Sequence, residues 1–376
     1  MASFNGTAVL RDNGSNRNVQ VALDLSDGCF RISFAEAADS IQSTLMEMLI
    51  ASVDGNADGC VELTDVEIVT SNGLLRSERI GELLVRGRRA LASEGIVTLT
   101  VIPKSSVVEF RHTPLMGGAC ELTFAHNSAF SGRHDCRAGG IDLQCFGEPP
   151  HLSVKSSTPL WEQRRRIGVA VSLLLGVRVA VRTGYENGVM RVNVAKGNVY
   201  QHGHRLFRES FKARGMLGDL LAFILALPEP EFGVWYKAVA FMLEGKSGLA
   251  ELDIRAISLF VFLEIFDGSG SLEVDTLASM LEISRSDADL VKRTRNRLLH
   301  HADSLIEAVL RADRELRTRD KKYVLTWFKI DDEPHDAAVM FSLRLCERIN
   351  AFVLRQAGSA ADHYGYEEII GSRPTV

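Results

Sequence analysis

The chain lacks a long apolar run. Its longest, Ile167 to Val177, ends at Arg178 and falls well short of the roughly 20 residues a spanning helix needs. No membrane partner is therefore expected. The first residues, MASFNGTAVLRDNGSNRN, hold no basic segment followed by an apolar stretch, so a cytoplasmic location is expected over secretion. Cysteine is sparse, with six residues (29, 60, 120, 136, 145 and 346) scattered over 376 and no CxxC pair, which suits reduced thiols better than a disulfide framework. GxxxxGK[ST], GxSxG and HExxH are all missing, leaving P-loop NTPase, α/β-hydrolase and zincin chemistry without an anchor. There is also no basic excess. The formal net charge of −5 confines any nucleic-acid site to a local patch.

What is present is an ordinary globular composition, 46% hydrophobic and 24% charged, in a chain long enough for two domains. Up to about residue 155 short β-branched runs (VQVALDL, IVTLTVI, SVVEF, CELTFA, IDLQCF) alternate with turn signals and read as strands. Two stretches there, Phe34 to Ser52 and Ser77 to Ser93, space their apolar residues by three and four and are expected to be helices. Beyond residue 155 the period becomes helical over Leu160–Leu175, Gly215–Leu227, Phe232–Glu244, Leu249–Phe266, Leu272–Leu281, Ser286–Leu316 and Ala337–Gln356. A hairpin near residues 177–194, turning at Tyr-Glu-Asn-Gly, interrupts it, and the residues from Gly358 read as a loose tail. The expected class is α+β: a β-rich domain over residues 1–155, then an all-helical bundle over 156–376.

The most informative stretch is DADLVKRTRNRLLHHADSLIEAVL, Asp287 to Leu310. Wound as one helix, it aligns Val291, Leu298, Ala302, Leu305 and Val309 on a core-facing stripe. Arg295 falls inside that stripe. A guanidinium there cannot shed its charge, so an acidic partner or an anionic ligand must meet it. Asn296 and His300, four residues apart, share the adjoining polar face with Arg293 and Arg297. From Arg285 to Lys322 there are 11 basic residues against 7 acidic ones, a local excess suited to phosphate, with Lys292, Arg293, Arg297 and His301 as candidate RNA contacts.

The order Arg295-Asn296-x-x-x-His300 resembles the motif of HEPN domains in which an Arg-polar pair is followed, after three to five residues, by His. Its setting on a helix late in an all-helical region, after ELDIRAISLFVFLEIF with its lone Glu264, is similar to ApeA-like anti-phage HEPN ribonucleases. The resemblance spans about residues 215 to 355. It implies a HEPN-like bundle that forms a homodimer through the helical domain, cuts RNA without a metal cofactor, and serves as a toxin-like hydrolase in antiviral defence under a phage or cellular trigger. By position it makes Arg295 and His300 the catalytic pair, Asn296 the supporting polar residue and Glu264 an acid behind them. The β-rich domain would then sense or recruit. On a straight helix Arg295 and His300 project roughly 140° apart, whereas Arg293 aligns with His300, so the catalytic arginine stays open between the two. The alternative is a non-catalytic HEPN-like dimerisation or scaffold protein whose N-terminal domain binds a protein, with calcium as an option.

That option rests on Asp54, Asn56, Asp58, Glu62 and Asp65, which follow EF-hand spacing with Gly59 at the sixth position. Against it, the twelfth position is Asp instead of Glu, and VELTDVEIV reads as a strand. His126, His134, Cys120, Cys136 and Cys145, and the pair His202 and His204, lack zinc-module spacing.

Overall fold

A computed structural model describes residues 3–12, 15–24, 29–35, 62–70, 73–81, 83–85, 91–93, 96–103, 107–113, 120–124, 131–148, 151–193, 212–246, 251–268, 272–328 and 333–358. The fold is α+β. The chain divides into two compact units, one of residues 1–127, 141–164 and 180–198, the other of residues 128–140, 165–179 and 199–376. Among the described residues no helix is long and apolar enough to cross a membrane.

The first unit is built on an antiparallel sheet. Its strands are β1 (Ser3–Asp12), β2 (Ser15–Asp24), β3 (Cys29–Ala35), β4 (Glu62–Thr70), β5 (Gly73–Ile80), β6 (Leu83–Val85), β7 (Leu91–Ser93), β8 (Ile96–Pro103), β9 (Val107–Thr113), β10 (Cys120–Phe124), β12 (Ile141–Glu148), β13 (His151–Ser156), β14 (Val181–Glu186) and β15 (Val189–Asn193); β11 (Gly132–Ala138) belongs to the second unit. They lie in the order β12-β13-β10-β14-β15-β9-β5-β4-β1-β2-β3-β8-β6, with β7 also on β8. Period-two alternation explains the pairing. Cys145, Val154 and Leu122 sit opposite one another on β12, β13 and β10, all buried, while their chain neighbours turn outward or are only half-buried.

The β14–β15 hairpin forms as expected, its turn residues Asn187 and Gly188 both at positive φ (52° and 77°), as a two-residue turn between twisted strands requires. Beside it Gly184 makes room for Trp161: a Cβ there would lie 2.4 Å from the indole. Glu186 Oε2 accepts the backbone N–H groups of Leu160 and Trp161 at 3.1 and 3.0 Å, tying the approach to the first helix onto this hairpin.

The helix expected over Ser77 to Ser93 is not formed; this stretch contributes to β5 and holds β6 and β7. β5 is bonded on both sides, by β4 and β9, and β6 and β7 both pair with β8, so tertiary pairing outweighs a helix-like local spacing. Of the helix expected over Phe34 to Ser52, Phe34 and Ala35 instead end β3 against Val97 and Ile96, and the remainder lies outside the described residues. The tail from residue 359 also lies outside them.

The second unit holds helices α1 (Arg164–Leu175), α2 (Lys212–Ala226), α3 (Glu229–Gly245), α4 (Leu252–Asp267), α5 (Val274–Leu281), α6 (Arg285–His300), α7 (Leu305–Arg319) and α8 (Pro334–Gln356). α2 packs on β11, α3 on α4, α6 on α7, and α8 against α4, α5 and α7. Phe260, Leu263, Val291, Val309, Leu345 and Ile349 are fully buried, and Trp235, Phe262, Phe266 and Phe352 stack edge to face beside them.

The single helix expected over Ser286–Leu316 is two. α6 stops at His300, and α7 restarts behind Ser304, whose hydroxyl caps Glu307 N–H while the Glu307 carboxylate caps Ser304, a reciprocal box that competes with helix continuation. Between them Ala302 takes φ 55° and is exposed, so it does not join the core stripe; Leu305 and Val309 reach the core from α7.

Candidate functional site

The start of α6 is fixed by a buried carboxylate. Asp287 is fully buried and accepts hydrogen bonds from Ser284 Oγ (2.5 Å), Thr326 Oγ1 (2.6 Å) and the backbone N–H groups of Thr326, Trp327 and Phe328 (3.2, 3.1 and 3.0 Å). Sequence reasoning overlooked this residue, although Ser284-x-x-Asp287 before an apolar run is a helix-start signal. With its N-terminus clamped, α6 buries Leu290, Val291, Thr294 and Leu298, and Arg295, beside that face, meets α4.

Arg295 meets the partner its placement demands. Its Nε donates to Glu264 Oε1 at 2.6 Å, and Nη2 pairs with the same carboxylate. Nη1 donates to Asn296 Oδ1 at 2.8 Å and lies 3.0 Å from His300 Nε2. The Arg295 side chain is 11% exposed and Glu264 24%, so the pair is drawn into the protein while His300 stands exposed at the helix end. The angular mismatch between Arg295 and His300 is bridged by the reach of the arginine. The other arginine, Arg293, turns elsewhere, to Asp289 at 3.1 Å and Glu315 at 3.6 Å.

The candidate RNA-contacting cations are already engaged within the chain. Lys292 pairs with Glu273 at 3.1 Å, and Arg297 with Asp303 at 3.1 Å and with Glu315. Burial alone would lower the Arg297 pKa, but its bonds to Glu315 and Asp303 outweigh that and raise it, keeping it a fixed cation. Asp303, with 9% of its side chain exposed, also holds Arg311 at 3.0 Å. His301 caps the helix through its N–H to Arg297 O and is exposed.

Asp54, Asn56 and Asp58 lie outside the described residues. Glu62 opens β4 and pairs with Arg79. Asp65 sits inside β4 at φ 50°, where the register with β1 slips by a residue, so a bulge accounts for its conformation. Among the described residues no group of three or more His, Cys, Asp or Glu could hold a metal ion.

Lys246, which the sequence did not single out, is another buried charge. It follows α3, is fully buried, and donates from Nζ to Asn350 Oδ1 at 2.8 Å. Burial pushes its pKa down to about 8, against a small opposing pull from Cys346.

No protein-family model matches this chain, and no curated protein or solved structure matches it either.

Proposed function

We propose that this chain is a HEPN-type effector that cleaves RNA without a metal, acting in anti-phage defence, with Arg295, Asn296, His300 and Glu264 as its site. The observation that carries this reading is the cluster in which Glu264 fixes Arg295 and Arg295 touches His300 Nε2 at 3.0 Å. A neutral imidazole can take the 2′-hydroxyl proton while that oxygen bonds to the adjacent phosphorus, the P–O5′ bond breaks, and the 5′-oxygen takes a proton from water; a guanidinium offsets charge on the phosphorane. The product ends would be a 2′,3′-cyclic phosphate and a 5′-hydroxyl.

RNA is the substrate and a second copy of the chain the partner. Exposed Val234, Phe241 and Ile254 on α3 and α4, the latter carrying Glu264, offer apolar surface for homodimerisation. The β-rich domain would answer a phage or cellular trigger. The scaffold reading draws on one observation: Lys292, Arg293 and Arg297 are bonded to acids of their own chain, which weakens their call on phosphate.

The test is cleavage of single-stranded RNA by the purified full-length protein in EDTA, with and without lysate from phage-infected cells as trigger. Cyclic-phosphate ends that appear in EDTA support the reading. Cleavage that EDTA abolishes overturns the metal-free step, and intact RNA in both arms supports the scaffold.

A further inference from the structure

Resting on that reading of the site, we infer that the Arg295–His300 contact is a latch, in which Arg295 presets the catalytic imidazole and blocks it until an anion draws the guanidinium away. A guanidinium carries five N–H donors and accepts nothing. Nε is spent on Glu264, Nη2 is turned to the same carboxylate, and Nη1 points one N–H at Asn296 Oδ1 and the other at His300 Nε2. For the last contact to be a hydrogen bond, Nε2 must hold a lone pair, so the neutral ring carries its proton on Nδ1.

The consequence is strict. In this arrangement His300 can accept a proton at neither nitrogen: Nδ1 already holds one, and the Nε2 lone pair is occupied by Arg295. Yet the tautomer is the one a base acting through Nε2 needs. Moving Nη1 off the ring frees that lone pair with no prior proton transfer, and a 2′-hydroxyl proton can then pass to Nε2 to give the imidazolium. What moves Nη1 follows from its chemistry. A phosphate oxygen is a charged acceptor and bonds a guanidinium more strongly than a neutral imidazole does. Glu264, gripping Nε and Nη2, acts as the pivot that keeps the arginine in place while Nη1 changes partner. Arg295 is thus a positioning residue for His300 in the resting chain and a phosphate ligand in the engaged one.

The neighbouring His301 is a built-in reference, exposed and only one residue away. Diethyl pyrocarbonate acylates neutral imidazole at a free lone pair, and fragment mass spectrometry separates the two positions. In the resting protein at neutral pH we expect His300 to react roughly fivefold more slowly than His301, as a hydrogen bond on its reactive nitrogen would impose. Arg295→Gln, checked by circular dichroism, should bring the two rates level. Inorganic phosphate should do the same saturably in the unaltered protein, while chloride at matched ionic strength should not. Imidazole ¹⁵N spectra should show His300 with its proton on Nδ1 in the resting protein and a mixture in Arg295→Gln. Equal acylation of His300 and His301 in the resting protein, a proton found on Nε2, or a phosphate response no greater than that to chloride would each overturn the latch. These readings need no cleavage, so a protein that protects His300 but leaves RNA intact would keep the latch and lose the nuclease.

Discussion

Replacing Lys246 with methionine should stabilise the protein at neutral pH and remove a pH dependence that the lysine imposes. Lys246 is fully buried and its ammonium has Asn350 Oδ1, at 2.8 Å, as its hydrogen-bond acceptor. Desolvation lowers its pKa from 10.5 to about 8. The folded state therefore binds this proton less well than the unfolded chain. Below pH 8 both states are protonated and folding carries the full penalty, about 3 kcal/mol at 1.36 kcal/mol per pKa unit. Between pH 8 and 10.5 the folded lysine is neutral while the unfolded one is charged, so stability rises with pH until the penalty is gone. Methionine fills similar volume without charge, but strands the Asn350 carbonyl at a cost of about 1–2 kcal/mol. The net at pH 7 is a gain of about 1–2 kcal/mol, changing to a loss of similar size above pH 10.5. Cys346, its thiol pushed up chiefly by burial, works in the opposite sense, stabilising at low pH and losing that contribution as pH rises, but it is common to both proteins and largely subtracts out. Urea unfolding followed by circular dichroism from pH 7 to pH 10.5 measures the difference. A constant offset between the two proteins across that range would refute the reasoning.

Ala302→Gly should raise stability by roughly 0.5–1 kcal/mol in the same assay, because an alanine held at φ 55° costs about 1–2 kcal/mol and glycine gives back part of that gain through its looser unfolded chain. Asp287→Ala should cost about 3–5 kcal/mol, since the buried N–H groups of Trp327 and Phe328 lose their acceptor; a fall of under 1 kcal/mol in urea unfolding would show that water replaces it. Gly184→Ala should destabilise by about 1–3 kcal/mol and alter tryptophan fluorescence, because the new methyl would overlap the Trp161 ring.

Sequence pattern carried most of the fold wherever local signal and tertiary context agree. Short β-branched runs between turn signals revealed β10 and β12, the Asn187-Gly188 turn revealed the hairpin, and apolar spacing found α2 to α5 and α8. It failed where they compete. Ser77–Ser93 has helical spacing but is drawn into a sheet by strands from both sides. The long helix was drawn through Ser304 because its apolar stripe continues on α7, and only the Ser304–Glu307 box marks the break. The Arg295 stripe position called for an acid or an anionic ligand, and Glu264, 31 residues earlier on α4, meets it. Asp287 and Lys246 stayed hidden because what makes them unusual is made elsewhere, by the 326–328 segment and by α8.

The most direct test of the proposed chemistry is the single-turnover rate of RNA cleavage in EDTA, with trigger present, for His300→Ala beside His301→Ala. A group that moves the proton is worth about 10²- to 10⁴-fold, so His300→Ala should lose at least about a hundredfold while His301→Ala stays within about twofold of the unaltered protein. Full cleavage by folded His300→Ala would contradict the account.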